Sequence, residues 1–224
     1  MGHVRERNED FWGEISGRWF VVADGMGGES GGEVAASTAV ASLSLRAGEQ
    51  VPDWDSLLDE VNGDVHRSLA EAGAPQGGTT LVAICFNSGV PSLAHIGDSR
   101  AYRLRRGELA VEPLTVDHSV AAELRAAGES VELYNRNIGR ADALTRYIGG
   151  PSAYRPTSSL PVLSAGDRVL LCTDGVYGQL DPEAIASCLT MDGCAEAADE
   201  LVRLSDAAGG RDNATALVIE VAWA

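Results

Sequence analysis

Seven short apolar runs fall in clusters along the chain, and five longer stretches repeat their apolar residues at helical spacing. The runs Phe11–Ile15, Trp19–Ala23, Thr79–Asn87, Pro91–Ile96, Ala101–Arg105, Val169–Thr173 and Ala214–Val221 are bounded by Gly, Asp or Asn and carry many β-branched or aromatic residues, which predicts strands. A period near 3.6 in Gly32–Arg46, Trp54–Ala72, Val120–Ala127, Pro182–Met191 and Ala195–Ala207 predicts helices. Strands follow one another as hairpin neighbours and helices come in successive pairs. That order argues against a doubly wound parallel sheet and predicts an α+β fold, with antiparallel sheets covered by helices. No repeat or linker divides the 224 residues, so one domain over 1–224 is expected. Residues 125–143, "RAAGESVELYNRNIGRADA", lack a clear period, and their length marks a functional excursion or flap.

Charge narrows the classes. Lys+Arg total 17 against Asp+Glu 33, a net charge of -16. Such a surface repels phosphate backbones, so no nucleic-acid partner is expected, and it suits a protein that gathers divalent cations. The four cysteines include no C-x-x-C pair, and Cys85 and Cys172 sit inside apolar runs, which fits a reducing compartment. No apolar run approaches the roughly 18 residues of a membrane span, and the amino terminus lacks a signal-peptide shape. A cytoplasmic protein with no membrane partner is expected.

The stretch "WFVVADGMGGESGGEVAA" brings in the chemistry. Asp24 follows one apolar run, Asp98 another and Asp174 a third; Asp212 precedes the last, and Glu9 and Asp10 head the first. A single Asp-Gly is ordinarily a turn. Six carboxylates at the ends of strands that share sheets are harder to dismiss, because like charges gathered at one edge repel unless a cation holds them. The histidines form no H-x-H or H-E-x-x-H, so an oxygen-only site selects Mg²⁺ or Mn²⁺ over zinc. Two such ions bridged by one carboxylate lower the pKa of a shared water, giving a nucleophile for in-line attack on a phosphate. Arg5 lies close enough in sequence to Glu9 and Asp10 to meet the phosphate oxygens. If Asp24 bridges the ions, the Gly25 carbonyl is a further ligand, and the glycines that follow keep side chains away from the substrate.

Other readings fail on the residues. No G-K-[ST] follows the glycines, and Ser30 breaks G-x-G-x-x-G. "GDS" at 97–99 has no downstream D-x-x-H, and adjacent Asp117, His118 and Ser119 cannot converge as a triad, so they read as a cap before the helix near Val120.

Taken in order, "VRERNED", "ADGMGG", "GGTT", "IGDSRAY", "LTVDHS", "LTRYIGG", "LLCTDG" and "RDNAT" resemble the PP2C-type (PPM) protein serine/threonine phosphatases, bacterial branch, over essentially the whole chain. The resemblance implies an α-β-β-α sandwich with metals in a cleft at one edge. It implies that Asp24 bridges two Mn²⁺ or Mg²⁺ ions, that the Gly25 carbonyl, Asp174 and Asp212 are ligands, and that Glu9 and Asp10 hold metal-bound waters. It makes Arg5 the phosphate-binding residue and Asp98 a ligand of a third, weaker site. The implied activity is hydrolysis of phosphoserine and phosphothreonine in proteins, opposing a bacterial Ser/Thr kinase, by a monomer. The alternative is a catalytically silent module that binds a phosphoprotein or regulates a partner.

Three positions depart from the family pattern. Met26 stands where eukaryotic members have His, so it supplies no general acid. Gly178 stands where many relatives have Asp, which makes Asp142 in the flap the candidate replacement. The strand that usually precedes the first motif is short or missing, so either an edge of one sheet is exposed or the sequence is trimmed there.

Overall fold

The computed structural model describes residues 4–5, 7–28, 30–87, 89–150 and 156–222; the outermost residues of the expected domain, 1–3 and 223–224, lie outside that set. The chain opens with a hairpin, β1 (Asp10–Ile15) and β2 (Trp19–Met26), followed by helices α1 (Gly31–Arg46) and α2 (Trp54–Glu71). Five strands come next: β3 (Gly78–Thr79), β4 (Leu81–Asn87), β5 (Val90–Ile96), β6 (Arg100–Leu104) and β7 (Val111–Pro113). Helices α3 (Val120–Ala126) and α4 (Val131–Asn137) precede β8 (Thr157–Ser159) and β9 (Arg168–Cys172). The chain ends with α5 (Asp174–Tyr177), α6 (Pro182–Leu189), α7 (Cys194–Ala207) and β10 (Ala216–Glu220).

Every strand pair is antiparallel. One sheet runs β1-β2-β4-β5-β8, with β3 also on β2, and the other runs β10-β9-β6-β7. Strand alternation divides the core into layers. Val21, Ala23, Leu81, Ala83 and Cys85 face α1 and α2, whereas Val22, Val82 and Ile84 face the second sheet and meet Val169, Leu171 and Ile219. Leu170, Cys172 and Val218 turn the other way, onto α6 and α7. The result is the expected α-β-β-α sandwich. Cys85 and Cys172 are fully buried, and burial pushes the Cys85 thiol up to about 11, so both serve as small hydrophobes. Trp19 and Trp54 lock the first sheet to α2 edge to face, with centroids 5.6 Å apart.

The expected helices appear, with ends shifted by one or two residues, and three of their starts carry side-chain caps. Asp53 accepts from Ser56 N, Ser119 from Ala122 N and Asp181 from Ala184 N. Several strand boundaries differ. β2 does not stop at Ala23: β3 pairs Gly25 with Thr79 and Met26 with Gly78, which carries the strand past Asp24. The expected strand 79–87 breaks at Thr80, whose N–H and hydroxyl turn onto Asp24. β10 starts at Ala216, because Thr215 is drawn toward Asp10. The unpatterned stretch 125–143 contains α4, capped by Ser130, and begins at the end of α3.

Candidate metal centre

The acidic residues singled out from the sequence meet at one end of the sandwich, and each arrives on a different element. Asp24 lies inside β2 and Asp10 begins β1 directly opposite it. Asp98 occupies the bend between β5 and β6, Asp174 opens α5, and Asp212 precedes β10. The main chain at Asp24 is fixed on all sides. Its N–H donates to Thr80 Oγ1 at 3.0 Å, and its carbonyl accepts from Thr80 N and Thr79 Oγ1, each at 2.9 Å. Thr80 Oγ1 is in turn 2.6 Å from Ser99 Oγ, next to Asp98.

Asp10 is almost fully buried, and its Oδ2 accepts from Thr173 Oγ1 (2.9 Å) and Thr215 Oγ1 (2.7 Å), which ties the first strand to the last two. Its Oδ1 has no partner, nor has the buried Oδ1 of Asp174. Glu9 sits at the start of α1, where its carboxylate faces the Gly32 Cα and its N–H donates to Asn213 Oδ1 at 3.0 Å. Arg5 stands at the rim, its Nη2 2.6 Å from Asp212 Oδ2 and its charge felt by Asp24 and Glu9.

Burial and mutual repulsion dominate the electrostatics. Burial first, then repulsion from Asp10, Asp174, Asp98 and Asp212, holds the Asp24 carboxyl well above the usual carboxylate range. Burial pushes Asp98 up to about 7, with Asp174 adding repulsion. Asp10 rises to about 6 by burial, even though its two threonine partners pull it down. Asp174 is raised by burial and by Asp212, while contact with the Asp24 carboxyl pulls it the other way. Among the described residues no three acidic, imidazole or thiol groups are already closed into a coordination shell. Orphaned buried oxygens, oxygen-only donors and raised carboxylates together fit hard divalent cations.

The glycines have a packing role that the sequence did not show. A Cβ on Gly25 would stand 2.3 Å from the Gly32 carbonyl oxygen and 2.7 Å from that of Glu9. On Gly31 it would meet the Gly77 Cα at 2.9 Å. The glycines let β2, α1 and the loop before β3 pass at backbone contact, and that packing is what brings Asp24 and Glu9 together. Only Gly28, with φ +68° and nothing within 4 Å, is open as expected.

Beside the acidic cluster a cavity of about 330 Å³ reaches the base of the flap, lined by Asp98, Asp142, Asp174, Tyr177, Arg125 and Arg211 among others. Gly178 is on its wall, so Asp142 and Asp98 share one space. Sequence reasoning missed the clamp behind Asp98. Tyr177 Oη donates to the Asp98 carbonyl at 2.9 Å, and Arg100 lies 3.6 Å over the Tyr177 ring. Asp117 holds Arg100 through two bonds of 2.7 Å. The side chains of "DHS" part company as expected of a non-triad: Asp117 to Arg100, His118 Nδ1 to Gly97 N, and Ser119 to the α3 cap. The threonines that hold Asp10 and Asp24 were also missed, although each stands within three residues of an aspartate or within the "GGTT" run.

Comparison with known proteins agrees with this arrangement. The family described as Protein phosphatase 2C matches residues 3–213. The serine/threonine protein phosphatase PstP of Mycobacterium tuberculosis is 33% identical over 226 residues, covering 98% of this chain and 43% of its own length. The serine/threonine phosphatase stp of Listeria monocytogenes is 32% identical over 237 residues, covering 98% of this chain and 92% of its own. A solved structure of the PstP catalytic domain in complex with 2 manganese ions superposes with a TM-score of 0.84 at 32% identity, covering 98% of this chain and 94% of that one. The chain thus spans less than half the length of PstP and nearly all of the Listeria relative.

Proposed function

The chain belongs to the protein phosphatase 2C family, and from that membership we propose that it is a metal-dependent serine/threonine protein phosphatase opposing a bacterial Ser/Thr kinase. The observation that carries the reading is the convergence of Asp24, Asp174 and Asp212 on one buried cluster with Arg5 at its rim. In this reading Asp24, Asp174, Asp212 and the Gly25 carbonyl hold two Mn²⁺ or Mg²⁺ ions, and Glu9 and Asp10 support their waters. When bound, such ions supply an activated water and charge stabilisation for in-line displacement at phosphorus.

The chain's own residues do the rest. The Thr79–Thr80 bonds keep the Asp24 backbone from yielding to repulsion. Arg5 presents a fork to two phosphate oxygens once it leaves Asp212; with its side chain 52% exposed, that pair contributes about 1 kcal/mol or less and parts readily. Met26 offers no proton, so leaving-group protonation comes from water or from another group. Asp98, backed by Tyr177, and Asp142 across the cavity are placed for a third, weaker cation.

A cytoplasmic monomer acting on phosphorylated proteins is the setting we infer. No helix among the described residues is long and apolar enough to cross a membrane. The complete set of ligand positions weighs against a silent binding module. Phosphate release from a phosphothreonine peptide with Mn²⁺, compared with an EDTA-treated sample and an Asp174→Ala variant, tests the reading. Release that needs the metal and Asp174 supports it; Mn²⁺ binding without release would favour the silent module.

A further inference from the structure

Two acidic residues of the cluster stand where a strand ladder gives out. β6 and β9 pair from Leu104 opposite Arg168 to Arg100 opposite Cys172. Carried two residues further, that register sets Ser99 opposite Thr173 and Asp98 opposite Asp174. Like charges directly across a ladder repel, and here both chains turn away. One bends at Gly97 and Asp98 before entering β6, and the other leaves β9 for α5 at Asp174. Burial first, and then repulsion from Asp174, raises the Asp98 carboxyl. Both residues line the cavity of about 330 Å³.

One side chain joins the two elements where ladder bonds have ended. Tyr177 lies one helical turn after Asp174 in α5. Its Oη donates to the Asp98 carbonyl at 2.9 Å, which ties the helix carrying Asp174 to the bend carrying Asp98. The residues beside Asp98 are anchored elsewhere. Gly97 N–H donates to His118 Nδ1 at 3.2 Å, and Ser99 Oγ is 2.6 Å from Thr80 Oγ1. Neither bond reaches α5. Asp174 keeps anchors of its own, since Thr173 N–H donates to Thr215 O at 3.1 Å and Gly178 N–H to Asp174 O at 2.7 Å. The Tyr177 ring is itself held, with the Arg100 guanidinium 3.6 Å over it. Asp117 fixes Arg100 through Nε and Nη2, and Tyr102 Oη accepts from its Nη1.

We propose that Tyr177 is a positioning residue for the weaker cation site at Asp98. It holds Asp98 beside Asp174 against their repulsion, and so sets the affinity of that site. A cation gains most from carboxylates whose spacing is fixed before it arrives, because folding has already brought the like charges together. Partners that orient metal-binding groups are typically worth 10–100-fold in affinity. The effect is confined to the weaker site, because the anchors of Asp24 and Asp174 do not pass through Tyr177. This role rests on the metal-dependent reading above and adds to it a residue outside the ligand set.

The test measures Mn²⁺ binding to the full chain by calorimetry, with electron paramagnetic resonance counting the free ion. Tyr177→Phe removes the hydroxyl and keeps the ring under Arg100. Tyr102→Phe is the control: it takes a hydroxyl from the same Arg100, which Asp117 still holds, and does not touch Asp98. The unaltered chain should bind two ions tightly and one more weakly. Tyr177→Phe should weaken the last about tenfold and leave the tight pair within about twofold, whereas Tyr102→Phe should change none of them. Circular dichroism and melting in EDTA check the fold of each variant. An unchanged weak site in Tyr177→Phe, equal weakening of all sites, an equal effect of Tyr102→Phe, or no weaker site in the unaltered chain would each overturn the proposal. Phosphate release by the unaltered chain is read in parallel. Its absence would overturn the phosphatase reading, while the binding data still decide the role of Tyr177.

Discussion

Arg5 and Asp212 grip each other at 2.6 Å although they stand 207 positions apart in the chain, so the residue assigned to phosphate and a residue assigned to metal neutralise one another. If Arg5 serves phosphate, Arg5→Ala should lower kcat/KM for a phosphothreonine peptide by about 10²-fold, and Arg5→Lys should recover only part of it, since an ammonium lacks the two-pronged fork. Steady-state kinetics at saturating Mn²⁺ give the answer. Unchanged kcat/KM in Arg5→Ala would remove Arg5 from the site.

Asp24→Asn should raise the melting temperature of the EDTA-treated protein while ending turnover. The substitution removes one of several buried like charges without changing shape, and sites built for function commonly cost stability. Calorimetry in EDTA reads the first effect and phosphate release the second. A lower melting temperature would mean that the Asp24 charge is not the strained one.

The pH dependence of the metal-free protein follows from the same groups. Carboxyls raised in the folded state, Asp10 to about 6 and Asp98 to about 7 with Asp24 and Asp174 also raised, bind more protons folded than unfolded above about pH 4. Their stabilising contribution is complete below the unfolded value and lost as pH rises through the folded ones. His118, lowered to about 4 by burial and by neighbouring His95, and His95, lowered by burial, act in the opposite sense below about pH 6.5, but they are two groups against four. Melting temperature in EDTA should therefore fall between pH 5 and about 8, and Asp24→Asn with Asp98→Asn should flatten the slope. A slope left unchanged by both substitutions would show that Asp24 and Asp98 are not its source.

Two glycines of one motif should behave differently. Gly25→Ala drives a Cβ into two carbonyl oxygens and should cost about 3 kcal/mol or more, or prevent folding. Gly28→Ala meets no atom and should cost about 1 kcal/mol, the cost of its positive φ. Urea denaturation separates the two. Similar losses would contradict the close backbone crossing at Gly25.

The site was more legible in the sequence than the elements that carry it. Asp24, Asp98, Asp174 and Asp212 each break an apolar run, and a charge next to buried residues is conspicuous. The reach of β2 beyond Ala23 was hidden, because Asp-Gly-Met carries no strand pattern and is held by a two-residue partner, β3. β8, with three exposed residues, and the single turn of α5 are too short for any period to register. Thr173 and Thr215 look like ordinary strand residues; only the fold shows that both hydroxyls turn to Asp10. The glycines were noticed, but not their packing, since local sequence cannot show that Gly25 and Gly32 touch.

The bonds from Thr79 and Thr80 fasten Asp24 by its main chain and leave its carboxylate to the cluster. If Asp24 holds a cation as proposed, metal acts on the free end of a side chain whose main chain is already fastened to Thr79 and Thr80.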